Sequence, residues 1–311
     1  MKTILSAGRA LAPLLLACTR LAANTDCWHR TETTVTRSSG SNLVWRLVAD
    51  PTQGKPYFHP LATPGGTMLT DLRPTDHPWH RGLWWSWKFI NGLNYWEEAP
   101  DTGRSEGATE LVSMSCTTSN DDSARIDCSL AYHPWNAPTV MTERRVLVIS
   151  APTGGQFMIE WLSEFTAITN VTLDRTPVVG KRNGMSWGGY AGLSLRMAPA
   201  LRTGTTFRNS EGAHGMEALQ GKPARWLSVQ TTNGAAAGVV LLDHPDNPRH
   251  PVCWYLSDSM PYVSPALLFN APLKLVAGTS LRLRYALWVH DGARTADDIE
   301  AKWRSFAAST H

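Results

Sequence analysis

The sequence predicts an all-β protein: a large antiparallel β-sandwich closed by one short C-terminal helix. Three observations predict it. Apolar and polar residues alternate with a period of two in segment after segment. The 24 glycines and 20 prolines are spread along the chain, as the many connections of a sandwich require. Only one stretch, near the C terminus, carries helix caps.

Residues 1–23 read as a signal peptide rather than as fold. Lys2 and Arg9 give a basic start and residues 10–17 (ALAPLLLA) an apolar core, well short of the ~20 residues that a bilayer span needs. Leu15-Leu16-Ala17-Cys18 resembles a lipobox, which would make Cys18 the lipid anchor of a tethered lipoprotein; cleavage near Ala23 would instead release a soluble protein. Both readings place the mature chain outside the cytosol, in the periplasm or the extracellular space. Residues 24–311 then form a single β-sandwich domain, because no linker, charge run or repeat marks a boundary. No later stretch is long and apolar enough to cross a membrane.

Strands are expected at residues 42–49 (NLVWRLVA), 83–88 and 125–132 (RIDCSLAY), the last alternating like a half-buried strand. Residues 142–150 and 156–165 flank the turn signal Pro152-Thr153-Gly154-Gly155. Residues 189–197, 235–243 and 281–290 continue the pattern. The helix is expected over residues 296–307, with Thr295 as its cap and Asp297 and Asp298 at the positive end of its dipole. Cys116 and Cys128 lie symmetrically about the polar turn Asn120-Asp121-Asp122-Ser123, and a hairpin there predicts a disulfide between them. Cys27 and Cys253 either pair or stay free.

With 29 basic and 26 acidic residues the net charge is only +3, which gives no electrostatic footprint for nucleic acid. No Gly-x-Ser-x-Gly elbow, phosphate-cradling glycine loop or Cys-x-x-Cys is present. Chemistry concentrates instead in residues 57–98, which hold three of the ten histidines and five of the fourteen tryptophans. Proline after His77 keeps His77 and His80 on a loop, which enters a strand with Trp85 and Trp87 on one face and Trp84 on the other. A second polar loop, Asp243-His244-Pro245-Asp246-Asn247-Pro248-Arg249-His250-Pro251, also follows an apolar strand. Glu97-Glu98 beside Trp96 offers the carboxylate, while Glu160 and Glu164 share a strand face and read as solvated.

The segments Tyr57-Phe58-His59-Pro60-Leu61, Asp76-His77-Pro78-Trp79-His80-Arg81-Gly82-Leu83-Trp84, Gly189-Tyr190-Ala191-Gly192-Leu193-Ser194 and the loop from His244 to Pro251 resemble the PmoA-like family of exported bacterial proteins. The family's inherited methane-oxygenase label does not suit a chain without a transmembrane stretch. What the resemblance implies is a galactose-mutarotase-like supersandwich, a fold in which histidines and a carboxylate on the concave sheet face do acid–base chemistry on a pyranose.

The expectation is therefore an exported carbohydrate-active protein, an enzyme of glycosidase, lyase or epimerase type acting on a saccharide or glycoside. His77 and His80 are the expected acid and base, assisted by His59, His250 and Glu97. Trp79, Trp85, Trp87 and Trp96 are expected to stack the sugar. Arg81, Arg182, Tyr190, His244 and Asn247 are expected to hold its polar groups. No cofactor is needed on this reading. One alternative is an oxygenase or hydrolase with a divalent metal on His59, His77, His80 and His250; another is a non-catalytic sugar-binding lipoprotein.

Overall fold

The computed structural model describes residues 27–231, 234–257 and 260–309. The leader, with Cys18 and its two processing readings, lies outside the described residues. In chain order the first strands are β1 (Trp28–Arg30), β2 (Thr34–Ser39), β3 (Asn42–Val48), β4 (Tyr57–Leu61), β5 (Leu83–Ser86), β6 (Phe89–Ile90) and β7 (Leu93–Asn94). Four long strands follow: β8 (Gly107–Thr118), β9 (Ala124–Pro134), β10 (Met141–Ile149) and β11 (Gln156–Ala167). Next come β12 (Val171–Asp174), β13 (Gly192–Arg196), β14 (Thr205–Asn209) and a four-residue helix, α1 (Met216–Leu219). The last strands are β15 (Trp226–Thr231), β16 (Ala237–Asp243), β17 (Trp254–Ser257), β18 (Tyr262–Pro265), β19 (Leu273–Leu275) and β20 (Ser280–Asp291), before α2 (Ala296–Ala307).

Two eight-stranded antiparallel sheets result. The first runs β1-β2-β3-β4-β5-β13-β18-β17 and the second β14-β15-β16-β20-β11-β10-β9-β8, with a small β19-β12-β6-β7 sheet beside them. Side-chain alternation sorts each strand into two faces. In β11, Phe157, Ile159, Trp161 and Phe165 enter a core that also takes Phe58, Trp85, Leu193 and Val263 from the first sheet, so the two sheets pack face to face. The outer face of the second sheet carries Trp226, Val240, Leu242 and Trp288, which α2 covers with Ile299 and Phe306. The outer face of the first sheet carries Tyr57, Trp84, Tyr255 and Tyr262 instead. The expected sandwich and C-terminal helix are both present, and α2 starts at Thr295, whose side chain accepts from the Asp298 amide in a capping box.

The expected disulfide is not formed. The β8–β9 turn closes one residue earlier than its composition suggests, with Thr118 opposite Ala124, so Cys128 faces Met114 and Cys116 faces Ile126. Two residues of diagonal offset leave Cys116 and Cys128 as free thiols. Cys253 is also a free thiol and accepts from Asn270 at 3.3 Å, so it does not bridge to Cys27. No helix among the described residues is long and apolar enough to cross a membrane.

Candidate functional site

Alternation on the first sheet builds the site's floor. Phe58, Trp85, Trp254 and Val263 point into the core, so their neighbours Tyr57, Trp84, Tyr255 and Tyr262 point the other way. Trp96 and Tyr190 join them from loops, their rings 4.9 Å apart. Above this aromatic basin lies a cavity of about 410 Å³, within the range of small-molecule sites. His77, Trp79, His80, Glu97, Trp187 and Tyr190 are among its walls.

The loop before β5 delivers the histidines through two tight turns. The His77 amide donates to Pro74 O at 3.0 Å and the His80 amide to His77 O at 2.9 Å. Gly82 then takes φ of +66°, where an added Cβ would lie 2.4 Å from the Phe58 carbonyl oxygen. No side chain fits there, and that close approach sets Arg81 and His80 just before β5. The His80 ring lies 5.1 Å from Trp84 and 5.4 Å from Tyr262, and His77 stacks on it at 4.7 Å. Asp76, whose two oxygens are each 2.9 Å from Arg196 Nη2, lies 3.1 Å from His77 Nδ1. His80 is only 2% exposed, and burial, reinforced by His77 and Arg196, pushes its pKa well below the usual imidazole value. It is therefore neutral at physiological pH.

The carboxylate comes from a turn built by Asn94, whose side-chain oxygen accepts from the Trp96 and Glu97 amides at 2.8 and 3.1 Å. Glu97 contacts Lys88, accepts from Asn94 Nδ2 at 2.6 Å and accepts from the Tyr190 hydroxyl at 3.1 Å. Burial works against the charge on Glu97, but Lys88 and these hydrogen bonds outweigh it and hold the pKa below the usual carboxylate value. Burial and the Glu97 charge raise the Tyr190 pKa strongly, so the phenol stays protonated. The cavity thus combines aromatic faces, a stacked imidazole pair, an ionised carboxylate and a protonated phenol.

His77, His80, Trp79, Trp96, Glu97 and Tyr190 meet here as the sequence suggested; the other expected site residues do not. Trp85 and Trp87 are at most 1% exposed and pack against Phe165 in the core, so the strand face chosen for stacking is the inner one. Arg81 is buried behind the wall in contact with Glu98. Arg182 is exposed on the loop before Tyr190 and does not line the cavity. His59 bonds Thr70 Oγ1 at 3.0 Å, away from the lining.

The second polar loop serves the opposite side of the molecule. His250 bonds the buried Asp243 at 2.7 Å and stacks on Trp303 of α2. His244 meets Arg284 and Phe306, and Asn247 bonds Asp243 and the β20 backbone. These residues fasten α2 and do not complete the cavity. The four histidines of the metal reading are accordingly not gathered, and no cluster of three or more ligating side chains occurs among the described residues.

Sequence reading missed Lys88, Asn94, Trp187 and Tyr262. Tyr262 was legible in principle, because its neighbour Val263 belongs to the core face. Trp187 sits on an irregular loop, 46% exposed, where no period exists to read.

A family model described as "Family of unknown function (DUF6807)" matches residues 34–304. The chain belongs to this family. The match spans β2 to most of α2, so it contains the whole aromatic cavity of the DUF6807 chain. It attaches no activity, and the likeness to PmoA-like proteins stays a resemblance. Among solved structures the chain is similar to a galactose mutarotase related enzyme from Lactobacillus acidophilus. The identity is 10%, the similarity covers 85% of this chain and 96% of that chain, and the TM-score is 0.24. So loose a superposition carries no functional argument, and the reading below rests on the cavity. No curated protein matches the sequence.

Proposed function

We propose that this protein acts outside the cytosol on a saccharide held in the aromatic cavity, and that His77, His80 and Glu97 perform acid–base chemistry on it. The supporting observation is one cavity that joins ring-stacking walls to a stacked imidazole pair and a fixed carboxylate. Trp79 and Trp187 offer apolar faces to a pyranose, with the buried Trp96 backing the wall, and the sugar hydroxyls need the polar groups between them. Burial first, and then His77 stacked 4.7 Å away, disfavour a proton on His80. His80, neutral, is the acceptor, and Asp76 fixes the neighbouring His77 ring through its Nδ1 at 3.1 Å. Glu97 stays ionised and accepts hydrogen bonds, while the Tyr190 phenol donates.

The test is a glycan array and a turnover assay on His80→Ala and Trp187→Ala. Trp187 is exposed, so its loss spares the fold. Both variants are expected to lose retention of the glycan that wild type selects, and His80→Ala to lose turnover as well. Undiminished binding in both variants overturns the reading.

A further inference from the structure

Behind the Trp96-Glu97-Glu98 segment lies a second cavity, about 470 Å³ in volume, which the saccharide reading does not use. Its walls carry three cations: Lys55, Arg81 and Arg104. Two of them are almost wholly withdrawn from water, Arg81 at 2% and Lys55 at 4% exposure. Their only shared counter-charge among the described contacts is Glu98. It lies 3.7 Å from Lys55, 3.2 Å from Arg73 and in direct contact with Arg81. Glu110, also on the wall, is turned outward and meets His133 instead.

Arg73 is exposed and solvated, so the two buried cations share the one Glu98 carboxylate and one positive charge is left uncompensated, which is costly away from water. The other contacts are to neutral groups. Arg81 donates to Trp79 O at 3.1 Å and Gln53 O at 2.8 Å, and its Nε is buried without a hydrogen-bond partner. Lys55 donates to Trp96 O at 2.7 Å. Burial, helped by the Arg81 charge, pulls the Lys55 ammonium down to about 7.

We propose that this second cavity is an oxyanion site, binding a carboxylate, phosphate or sulfate group through Lys55, Arg81 and Arg104. Oxyanions satisfy such donors with short, charge-assisted hydrogen bonds. The inference stands without the saccharide reading, although the two cavities share a wall. Trp79 and Trp96 turn their rings to the first cavity and their carbonyls to the cations of the second. Two sources fit the chemistry: the acidic group of a saccharide reaching across that wall, or a free inorganic ion.

Calorimetric titration of the full chain with sodium phosphate, sodium sulfate and sodium glucuronate, with glucose as the neutral control, tests it. At least one anion is expected to bind, and Lys55→Met and the exposed Arg104→Ala are each expected to weaken binding about tenfold or more. A bound anion raises the Lys55 pKa, so a proton is taken up on binding. Affinity should then fall by up to about tenfold per pH unit above pH ~7. Glucuronate favoured over both glucose and phosphate identifies the saccharide source, and equal binding of all three anions identifies the free ion. If no anion binds, or if neither variant weakens binding, the proposal fails. Glucose binding that is lost in His80→Ala reports on the first cavity alone, which separates that failure from this one.

Discussion

Glu143 and Arg145 stand two apart on β10 and both face the core, where Arg145 bonds both carboxylate oxygens at 2.7 and 2.9 Å and lies over the Trp161 ring at 4.7 Å. Tyr132 and Ser163 also bond Glu143, so the pair is fully hydrogen-bonded although both members are within 2% of complete burial. Replacing Arg145 by Met strands an anion in the core, and about 3–5 kcal/mol of stability should be lost in urea denaturation. The double variant with Glu143→Gln should recover part of that loss; no recovery would show that packing on Trp161, not charge, sets the cost. The alternation of residues 142–150 places Glu143 with Leu147 on one strand face. Nothing in the residues says that this charged face is the inner one. The same ambiguity put Trp85 and Trp87 in the wrong place: period two separates the faces of a strand but does not say which one is wet.

At the scale of elements, local chemistry predicted boundaries well where it is decisive. Thr295, Asp298 and the acidic first turn fix the start of α2. Thr295→Ala should cost about 1 kcal/mol, and Phe306→Ala about 3–5 kcal/mol because it empties the space between α2 and the second sheet; thermal denaturation ranks the two. Register was less legible. The β8–β9 ladder depends on where a polar turn closes, and several closures suit residues 119–123 equally. The observed ladder makes a clear prediction: Met114→Cys places a thiol directly opposite Cys128 and should cross-link under mild oxidation, whereas wild-type Cys116 and Cys128 should not. A loss of two titratable thiols in the variant alone checks it.

For the whole molecule, the buried histidines set an acid limit. Burial lowers the His290 pKa to about 4 and the His80 pKa well below its usual value. Unfolded chains protonate these groups near pH 6.5, so the folded state binds fewer protons between about pH 4 and 6.5. Stability is then complete above pH ~6.5 and declines as pH falls towards 4, by about 3 kcal/mol from His290 alone. Melting temperature against pH checks the slope, and His290→Asn should flatten it. Half of the candidate site was visible in the sequence because residues 76–98 arrive together along the chain. The other half, from Trp187 to Tyr262, of which the sequence suggested only Tyr190, is brought to the basin by β13, β17 and β18 pairing across long separations, which no local pattern encodes.

Helix α2 gives the sandwich a front and a back. It seals the apolar outer face of one sheet, fastened by Trp303 to the Asp243 carbonyl and by His250 stacking, and leaves the basin on the other sheet uncovered. Orientation on a support should therefore decide behaviour. Protein immobilised through the exposed side of α2 would present its cavity to solution, whereas attachment through the loop around Trp187 would bury the entrance. Two sensors carrying the same mass of protein would then give different signals for the saccharide proposed above.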